Sequence, residues 1–450
     1  MVAGWRRAGR EVAVVGLGKS GVAATLLLRE RGVLVYASDA GAGAQRDAWA
    51  VELRAAGAVV ELGGHDLARI ERAVGVVVAP GVPPGAPALV AARAAGVPVV
   101  AEVDLGVTEL PRTQVVGITG TNGKTTTTSL VAHLMLAAGI DGVAAGNIGL
   151  PVCEVARRPR HPAWLALELS SFQLHDCPDL APAVGVLTNL SPNHLDRYAT
   201  LEEYYGDKAL LFRNADARSV TVSNADDPAV GALLTRIPGT HLRFSVEQAA
   251  DAWFDRAGRR LMLRDRAVLA RDDLPLLGDH NVANALTAVL VVDQIGGALD
   301  RIGAGLRSFR SIPHRVEPVR EVGGVLWIND SKSTNVTATA VAIAALDRPF
   351  VLLLGGRHKG EPYTRLIEPL LGGCRAVIAY GEAGELVVRD LGGALRVVRA
   401  GSFDEVLHAA RGLARPGDAV LLSPACSSYD MFTNYEERGE RFRAAVEAMS

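Results

Sequence analysis

The stretch Gly117-Ile-Thr-Gly-Thr-Asn-Gly-Lys-Thr-Thr126 decides how the surrounding chain is predicted to fold. It follows an apolar run and precedes a helical pattern, so it predicts strand, phosphate-binding loop and helix. Glycines allow successive N–H groups to point at an anion, and the helix N-terminus adds partial positive charge. Lys124 could then bridge terminal phosphates, and Thr125 could offer a hydroxyl to Mg²⁺. The spacing departs from the general phosphate loop, whose first glycine would fall at Ile118, and a glycine-rich turn with an incidental lysine remains open.

Upstream, the pattern predicts a strand, a glycine-rich turn, a helix and a second strand. The turn is Gly16-Leu-Gly-Lys-Ser-Gly21, and Asp39 ends the second strand. Alone, this arrangement indicates NAD or FAD binding. The segment is about 100 residues long and carries the proline-rich stretch 80–87, so we expect a half-sized Rossmann-like domain suited to one nucleotide diphosphate.

The middle segment alternates predicted strands and helices, which is typical of a parallel sheet covered on both faces. Three polar residues fall where its strands end, at the edge that usually carries function. Glu168 ends one strand, Asn147 lies in Gly146-Asn-Ile-Gly149, and His194 lies in Asn189-Leu-Ser-Pro-Asn-His-Leu-Asp-Arg-Tyr198. A lone Glu or His is usually a solvated loop residue. Beside a phosphate loop, however, Glu168 becomes a candidate Mg²⁺ ligand, because hard cations prefer oxygen.

Composition excludes several classes of function. Apolar residues make up 49% of the 450 residues, and the net charge is −2. That balance gives no broad cationic surface, so we expect no nucleic-acid partner. The four cysteines have neither zinc-site nor disulfide spacing, and no apolar stretch is long enough to span a bilayer. We therefore expect a cytoplasmic protein that does not insert into membranes.

The quoted phrases resemble the Mur ligase superfamily, which forms amide bonds at the expense of ATP. The loop Gly120-Thr-Asn-Gly-Lys-Thr125 resembles its ATP loop, and the phrases beginning at Glu168, Asn189 and Ser423 resemble its D-glutamate-adding branch. The resemblance implies an α/β fold of three domains. These are a Rossmann-like UDP-substrate domain over residues 1–104, a central P-loop ATPase-type parallel sheet over 105–311, and a Rossmann-like amino-acid-binding domain over 312–450.

The resemblance implies that the chain uses ATP to add D-glutamate to UDP-N-acetylmuramoyl-L-alanine through an acyl phosphate, and that it acts as a monomer. The implied ATP contacts are Gly120, Thr121, Asn122, Gly123, Lys124, Thr125, Thr126, Asn284 (with Asn281 second), Arg315 and Asp330. The implied UDP-substrate contacts are Gly18, Lys19, Ser20, Asp39, Asn147 and His194. The implied D-glutamate contacts are Thr334, Lys359, Ser428 and Tyr435. Asp39 is followed by Ala40-Gly41 rather than by a polar residue, so help from Arg46 is a further expectation.

The same resemblance implies two Mg²⁺ ions and four catalytic residues. The catalytic residues are Lys124, His194, Lys208 and Lys332, and the metal ligands are Thr125, Glu168, His194 and Lys208. Lys208 stands where the superfamily carries a lysine carbamylated by CO₂. Two alternatives remain: a nicotinamide oxidoreductase built on residues 16–39, and a non-catalytic nucleotide-dependent switch or scaffold.

Overall fold

The computed structural model describes residues 1–192, 198 and 200–449. These residues form three sheets with helices between the strands, which confirms the α/β prediction. The chain divides into two compact units. The first unit contains Met1–Leu274 and Ala283–Arg307, and the second contains Pro275–Val282 and Ser308–Ser450. The predicted boundary near residue 104 lies inside the first unit.

The first sheet is entirely parallel, with strand order β3-β2-β1-β4-β5. Its elements, with the helix that follows it, are α1 (Val2–Ala8), β1 (Val12–Val15), α2 (Lys19–Glu30), β2 (Val35–Asp39), α3 (Ala44–Ala55), β3 (Val59–Leu62), α4 (Leu67–Glu71), β4 (Gly75–Val78), α5 (Pro87–Ala94), β5 (Val99–Ala101) and α6 (Glu102–Thr108). Strands β1 and β4 are buried along their whole length, because helices cover both faces of the sheet.

This sheet is larger than the half-sized domain expected from the sequence. Five strands in the order 3-2-1-4-5 lack only the sixth strand of the usual dinucleotide-binding order. The expectation of a half-sized domain was wrong because β3 and β5 are short and only partly buried, so neither shows the continuous buried apolar run that marks β1.

The second sheet has nine strands in the order β14-β13-β12-β11-β10-β9-β6-β8-β7. The elements of this part of the chain are β6 (Gln114–Thr119), α7 (Lys124–Ala137), β7 (Gly142–Gly146), α8 (Val152–Ala156), β8 (Trp164–Glu168), α9 (Ser171–His175), β9 (Val184–Leu187), α10 (Leu201–Ala209), β10 (Val220–Asn224), α11 (Pro228–Leu234), β11 (Thr240–Ser245), β12 (Ala252–Asp255), β13 (Arg260–Leu263), β14 (Arg266–Ala270), α12 (Asp279–Gln294) and α13 (Leu299–Ser308). Strands β7 to β12 and β6 pair in parallel, whereas β13 and β14 extend the sheet as antiparallel strands.

The first two sheets share one hydrophobic core. Val103 and Leu105 of α6 belong to the same buried cluster as Val152 and Val155 of α8. Gly106 makes this packing possible, since a Cβ there would lie 2.7 Å from the Val152 side chain. The phosphate-loop sheet and the N-terminal sheet are therefore built into one compact unit.

The third sheet has six strands in the order β15-β16-β20-β17-β18-β19, and only β15 is antiparallel. Its elements are β15 (Glu317–Val322), β16 (Val325–Asn329), α14 (Val336–Ala344), β17 (Phe350–Gly355), α15 (Ile367–Leu371), β18 (Cys374–Tyr380), α16 (Gly384–Leu391), β19 (Val397–Arg399), α17 (Phe403–Leu413), β20 (Ala419–Leu422) and α18 (Tyr435–Glu447). Two apolar clusters cover its faces, and they alternate along β17, with Leu352 in one and Val351 in the other. Strands β16, β20 and β17 are parallel neighbours, so their carboxyl ends lie at the same edge of the sheet. No helix in the described part of the chain is long and apolar enough to cross a bilayer.

Candidate functional site

A cavity of about 860 Å³ opens beside the glycine-rich turn of the first sheet. It is lined by Gly18, Lys19 and Ser20 from the start of α2, and by the end of β2. The second sheet contributes the segment around Asn147. The sequence pattern placed Lys19 and Ser20 in a glycine-rich turn. In the structure they lie in the first turn of α2, because that helix begins at Lys19. The cavity brings together every described residue predicted to contact the UDP substrate.

Asp39 is held by its own protein neighbours. Its carboxylate accepts hydrogen bonds from the backbone N–H of Leu17 at 2.6 Å and of Gly41 at 2.7 Å, and it forms an ion pair with Arg46 at 3.0 Å. Burial alone would raise the pKa of Asp39, but these N–H donors and the Arg46 charge lower it below its usual value. Asp39 is therefore ionised, and it stabilises the glycine-rich turn by accepting the hydrogen bond from Leu17. Arg46, half-exposed, lines the same cavity and pairs with Asp39, while its expected help with the UDP substrate stays a prediction.

The predicted phosphate loop lies between β6 and α7. Gly120 (φ 146°) and Gly123 (φ 82°) have backbone conformations that favour glycine. A Cβ at Gly120 would collide with the Thr188 hydroxyl, and one at Gly123 would collide with the Asn284 side chain. Asn284 also accepts a hydrogen bond from Thr127 at 3.1 Å. Asn284 therefore lies against the loop, while the Asn281 side chain donates to the Leu277 carbonyl at the start of α12.

Thr188 and Asn189, which follow β9, complete the loop and were not singled out from sequence. The Thr188 hydroxyl donates to the Asn122 carbonyl at 2.7 Å. The Asn189 side chain accepts from the Asn122 N–H at 2.9 Å and donates to its carbonyl at 3.0 Å. Asn189 opens the phrase that contains His194, so its place in that phrase was the only available signal. His194 itself lies outside the described residues.

Two lysines meet at one backbone carbonyl of the loop. Lys124 donates to the Gly120 carbonyl at 3.0 Å, and Lys208, from α10, donates to the same oxygen at 2.8 Å. Lys208 is only 1% exposed and lies 4.4 Å from the centre of the Tyr204 ring. Burial, with help from the Lys124 charge, lowers the pKa of Lys208 to about 6. A neutral amine is therefore present beside the phosphate loop at neutral pH.

Glu168 ends β8 at the same edge of the sheet and is 3% exposed. One carboxylate oxygen accepts from the Asn147 amide at 2.9 Å, whereas Oε2 is buried with no hydrogen-bond partner among the described residues. A buried carboxylate oxygen without a donor is costly unless a cation is bound. The described residues contain no group of three or more His, Cys, Asp or Glu side chains that could hold a metal. Glu168 therefore suits an ion whose remaining ligands are hydroxyl and phosphate oxygens.

The second unit carries the other predicted site residues on the loops after β16, β17 and β20, with Arg315 before β15 and Tyr435 at the start of α18. Asp330 is 3% exposed, and its carboxylate accepts from the Ser423 hydroxyl at 2.7 Å and the Val316 N–H at 3.2 Å. Burial raises the pKa of Asp330 to about 6. Lys332 is exposed, with its ammonium 5.4 Å from the Tyr435 ring centre.

The predicted amino-acid contacts lie at the same edge. Lys359 donates to the Thr334 hydroxyl at 3.1 Å, and Ser428 is 2% exposed in the loop after β20. Burial raises the pKa of Tyr435 to about 12, so its hydroxyl stays protonated. The structure thus brings Thr334 and Lys359 into contact, as a shared ligand would require.

Arg315 lies on a strained segment. Its neighbours His314 (φ 64°) and Val316 (φ 39°) adopt the left-handed region, which is costly for a β-branched residue. The Arg315 Nε is buried without a hydrogen-bond partner in the described part of the chain. Backbone strain on both sides of a buried donor without a partner among the described residues is typical of a segment that binds a ligand.

Three family models match successive parts of the chain. They are the MurD-like N-terminal domain of Mur ligases (residues 10–101), the Mur ligase middle domain (118–292) and the Mur ligase glutamate ligase domain (314–426). The chain is 40% identical over 448 residues to the UDP-N-acetylmuramoylalanine–D-glutamate ligase of Acidobacterium capsulatum, covering 97% of this chain and 96% of that one. It is 42% identical over 453 residues to the enzyme of the same name from Chromobacterium violaceum, covering 98% of each.

Solved structures share the fold at lower identity. The UDP-N-acetylmuramate–alanine ligase MurC of Thermotoga maritima matches with a TM-score of 0.61 and 19% identity, over 97% of this chain and 99% of that one. MurF ligase of Thermotoga maritima in complex with ADP matches with a TM-score of 0.60 and 18% identity, over 92% and 95%. With relatives about 40% identical over nearly its whole length, the chain belongs to the Mur ligase family, in its MurD-like branch.

Proposed function

We propose that this chain uses ATP to join D-glutamate to UDP-N-acetylmuramoyl-L-alanine, a step in the synthesis of peptidoglycan precursors. One observation carries the proposal beyond family membership: the first unit holds both a cavity beside the glycine-rich turn and a phosphate loop, and hydrogen bonds between Asn147 and Glu168 connect them. Asn147 lines the cavity beside the glycine-rich turn, and its amide contacts Glu168 at the edge that carries the phosphate loop. A ligase that activates a UDP-linked substrate with ATP needs such an arrangement.

In the first step, a carboxylate oxygen of the L-alanine residue attacks the γ-phosphorus of ATP, ADP leaves, and an acyl phosphate forms. Charge on the transferring phosphoryl group must be neutralised, and such electrostatic stabilisation supplies much of the rate in phosphoryl transfer. Lys124, in the loop, carries this role, with Lys332 and Arg315 as the further cations. Gly120 to Thr126 form the phosphate-binding loop, in which the Thr121 and Asn122 N–H groups donate to Asn189 and other N–H groups of the loop bind the phosphates. Asn284 binds the adenine, and Asp330 binds the ribose.

In the second step, the neutral amine of D-glutamate attacks the acyl carbon. A tetrahedral intermediate forms, inorganic phosphate leaves with the C–O bond electrons, and the nitrogen loses a proton. Lys359 and Thr334, already in contact, bind the carboxylates of D-glutamate together with Ser428 and the segment at Tyr435. Gly18, Lys19, Ser20, Asp39 and Asn147, with His194, bind the UDP substrate.

Mg²⁺ fits the residues at the phosphate loop. The unpartnered Oε2 of Glu168 and the Thr125 hydroxyl would hold the ion that accompanies ATP. When bound, Mg²⁺ neutralises phosphate charge.

Lys208 carries a carbamate in the active protein. Carbamylation requires the neutral amine, and the lowered pKa of Lys208 supplies it at neutral pH. The product is an oxygen-bearing anion, which together with His194 suits a second Mg²⁺. The test is ¹³C NMR in ¹³CO₂-equilibrated buffer: a carbamate resonance should be present in wild type and absent in Lys208→Arg. A wild-type spectrum without it would contradict the modification.

Phosphate release from ATP tests the proposed activity. It should require both UDP-N-acetylmuramoyl-L-alanine and D-glutamate, and L-glutamate should not replace the D-isomer. Lys124→Ala should reduce turnover at least a hundredfold, a loss of roughly 3 kcal/mol in transition-state stabilisation. Release that ignores either substrate, or turnover of Lys124→Ala within tenfold of wild type, would reject the assignment.

Calorimetry separates the ligase from a nicotinamide oxidoreductase. The cavity at Gly18 should bind UDP, and binding should weaken in Arg46→Ala, whose guanidinium lines it. Micromolar NAD binding without UDP binding would restore the oxidoreductase. The proposed cytoplasmic location and monomeric state are tested by cell fractionation and by light scattering of the purified protein.

A further inference from the structure

Arg438 is a fully buried arginine that the mechanism above does not use. Its exposed fraction is 0%, and it lies in the first turns of α18, near the helix N-terminus. A cation is disfavoured there by the helix dipole, and burial removes its hydration. Every hydrogen-bond acceptor recorded for it is neutral. A buried cation near a helix N-terminus, with no carboxylate partner among the described residues, is expected to have a specific role.

The guanidinium joins the loops that follow two neighbouring strands. Its Nε donates to the Ser331 hydroxyl at 2.9 Å and its Nη2 to the Ser331 carbonyl at 2.8 Å, in the loop after β16. Nη1 and Nη2 both reach the Cys426 carbonyl at 3.3 Å, in the loop after β20. Ser331 in turn donates to the Tyr435 carbonyl at 2.8 Å, which fixes the start of α18 itself.

A third loop, after β17, closes over the same group. Gly356 adopts φ 130°, and a Cβ there would lie 3.3 Å from Nη1 of Arg438 and would collide with the Ser427 carbonyl. Strands β16, β20 and β17 are adjacent in the sheet, so their carboxyl ends meet beneath one guanidinium. A planar group with five donors in a fixed fork suits acceptors from two loops at once better than a single ammonium does.

Each of these loops carries residues of the proposed site. Asp330 and Lys332 flank Ser331, Lys359 follows Gly356, and Ser428 follows Cys426 by two positions. We propose that Arg438 is a positioning residue that locks the nucleotide-facing loop to the two amino-acid-facing loops, so that both parts of the C-terminal site keep one geometry. The ligands assigned to these loops rest on the proposed function.

The test compares Arg438→Lys with Val446→Ala. Lysine keeps the charge but loses the planar fork, whereas Val446 is equally buried in the same helix and belongs to the apolar cluster on one face of the sheet. In the ligand-free protein, amide hydrogen exchange over residues 329–335 and 424–430 should accelerate together, at least fivefold, in Arg438→Lys. Val446→Ala should leave both segments at wild-type rates. Wild-type exchange in folded Arg438→Lys would overturn the proposal.

Kinetics provide a readout that a loss of stability would not move. In Arg438→Lys, KM for ATP and KM for D-glutamate should both rise at least tenfold, whereas Ser428→Ala should raise only KM for D-glutamate. Equal KM values in Arg438→Lys and Val446→Ala would count against the role. If wild type releases no phosphate in response to D-glutamate, the proposed function fails, and the exchange comparison still decides the role of Arg438.

Ser331→Ala keeps the proposal testable if Arg438→Lys does not fold. It removes the hydroxyl that accepts from Arg438 and donates to the Tyr435 carbonyl, and it leaves the contact of Arg438 with the Ser331 carbonyl in place. Exchange should then accelerate over residues 424–430, because the guanidinium that loses the Ser331 hydroxyl also holds the Cys426 carbonyl. No change in that segment would contradict the coupling.

Discussion

Lysine is used sparingly in this chain, and that usage bears on the chemistry of the site. Among 47 basic residues only five are lysines: Lys19, Lys124, Lys208, Lys332 and Lys359. All five are among the residues proposed to bind ligands, and arginine supplies the remaining basic side chains. Amine and guanidinium differ in pKa, shape and reactivity, so a position that keeps lysine in so arginine-rich a chain points to a need for the amine.

Lys208 gives the sharpest case. Its pKa of about 6 means that a charged form would be buried at a cost, and the neutral amine is the form that can add CO₂. Lys208→Met should abolish ligase activity yet raise the free energy of unfolding, by on the order of 1–4 kcal/mol at neutral pH in CO₂-free buffer. Urea unfolding and turnover measured on the same preparation check both effects. A variant that is less stable than wild type would show that the buried amine contributes favourably.

Glu168 makes a prediction about metal dependence. In Glu168→Gln the amide oxygen can still accept from Asn147, but the unpartnered carboxylate oxygen is replaced by an NH₂ group that cannot bind a cation. The Mg²⁺ concentration for half-maximal activity should rise at least tenfold. Glu154→Gln, an exposed change on α8, is the matched control and should leave it unaltered. An unchanged Mg²⁺ requirement in Glu168→Gln would remove Glu168 from the metal site.

The sequence predicted candidate ligand-binding residues better than it predicted the residues that position them. Lys124, Glu168 and Asp330 follow strand-like patterns, so their place at the sheet edges was predictable. The roles of Thr188 and Arg438 depend on contacts between residues 66 and 107 positions apart, for which a single sequence carries no signal. The ion pair of Asp39 with Arg46 is likewise a tertiary feature, although Arg46 was suspected.

At the level of elements, the conformation of the phosphate loop depends on Gly120. Gly120→Ala should destabilise the protein and abolish ATP binding, because φ is 146° and the new methyl group would collide with Thr188. Gly206→Ala is the matched control: it lies within α10, and a Cβ there meets nothing within 4 Å. That change should stabilise the protein by about 0.5–1 kcal/mol. Thermal unfolding and ATP titration distinguish the two, and normal ATP binding by Gly120→Ala would contradict the close approach.

The elements also show where prediction from sequence fails. Strands β6 and β8, which lead to the phosphate loop and to Glu168, were predicted from the sequence, since their apolar runs are buried on both faces. The extension from β11 to β14 was missed. Strands β11, β13 and β14 combine exposed with buried positions and each carries an arginine, so they resemble loops when hydrophobicity alone is considered.

At the scale of the whole molecule, the first unit buries three titratable groups whose effects oppose one another. Glu102 and Asp104, at the start of α6, are 1% and 0% exposed, and each has one oxygen without a hydrogen-bond partner among the described residues. Burial raises the pKa of both carboxyls to about 7. Lys208, in the same unit, has its pKa lowered instead.

The signs follow from proton binding in the folded and unfolded states. A carboxyl with a raised pKa contributes stability that is fully present below its unfolded pKa, near 4, and is lost as pH rises through about 7. Lys208 is neutral in the folded state above about pH 6 but protonated when unfolded, so its contribution grows more favourable as pH rises. Between pH 6 and 8 the two effects oppose each other, and the stability of wild type in CO₂-free buffer should change little.

Variants that remove one set of these groups should reveal how the other set makes stability depend on pH. Lys208→Met leaves the carboxyls alone, so its thermal unfolding temperature should fall from pH 6 to 8. Glu102→Gln with Asp104→Asn leaves Lys208 alone, so stability should rise over the same range, by up to about 1.4 kcal/mol per pH unit for one proton. Calorimetry at pH 6, 7 and 8 measures both. If the Lys208→Met curve runs parallel to that of wild type, Lys208 binds its proton equally in both states, and the neutral amine that carbamylation requires is absent from the folded protein.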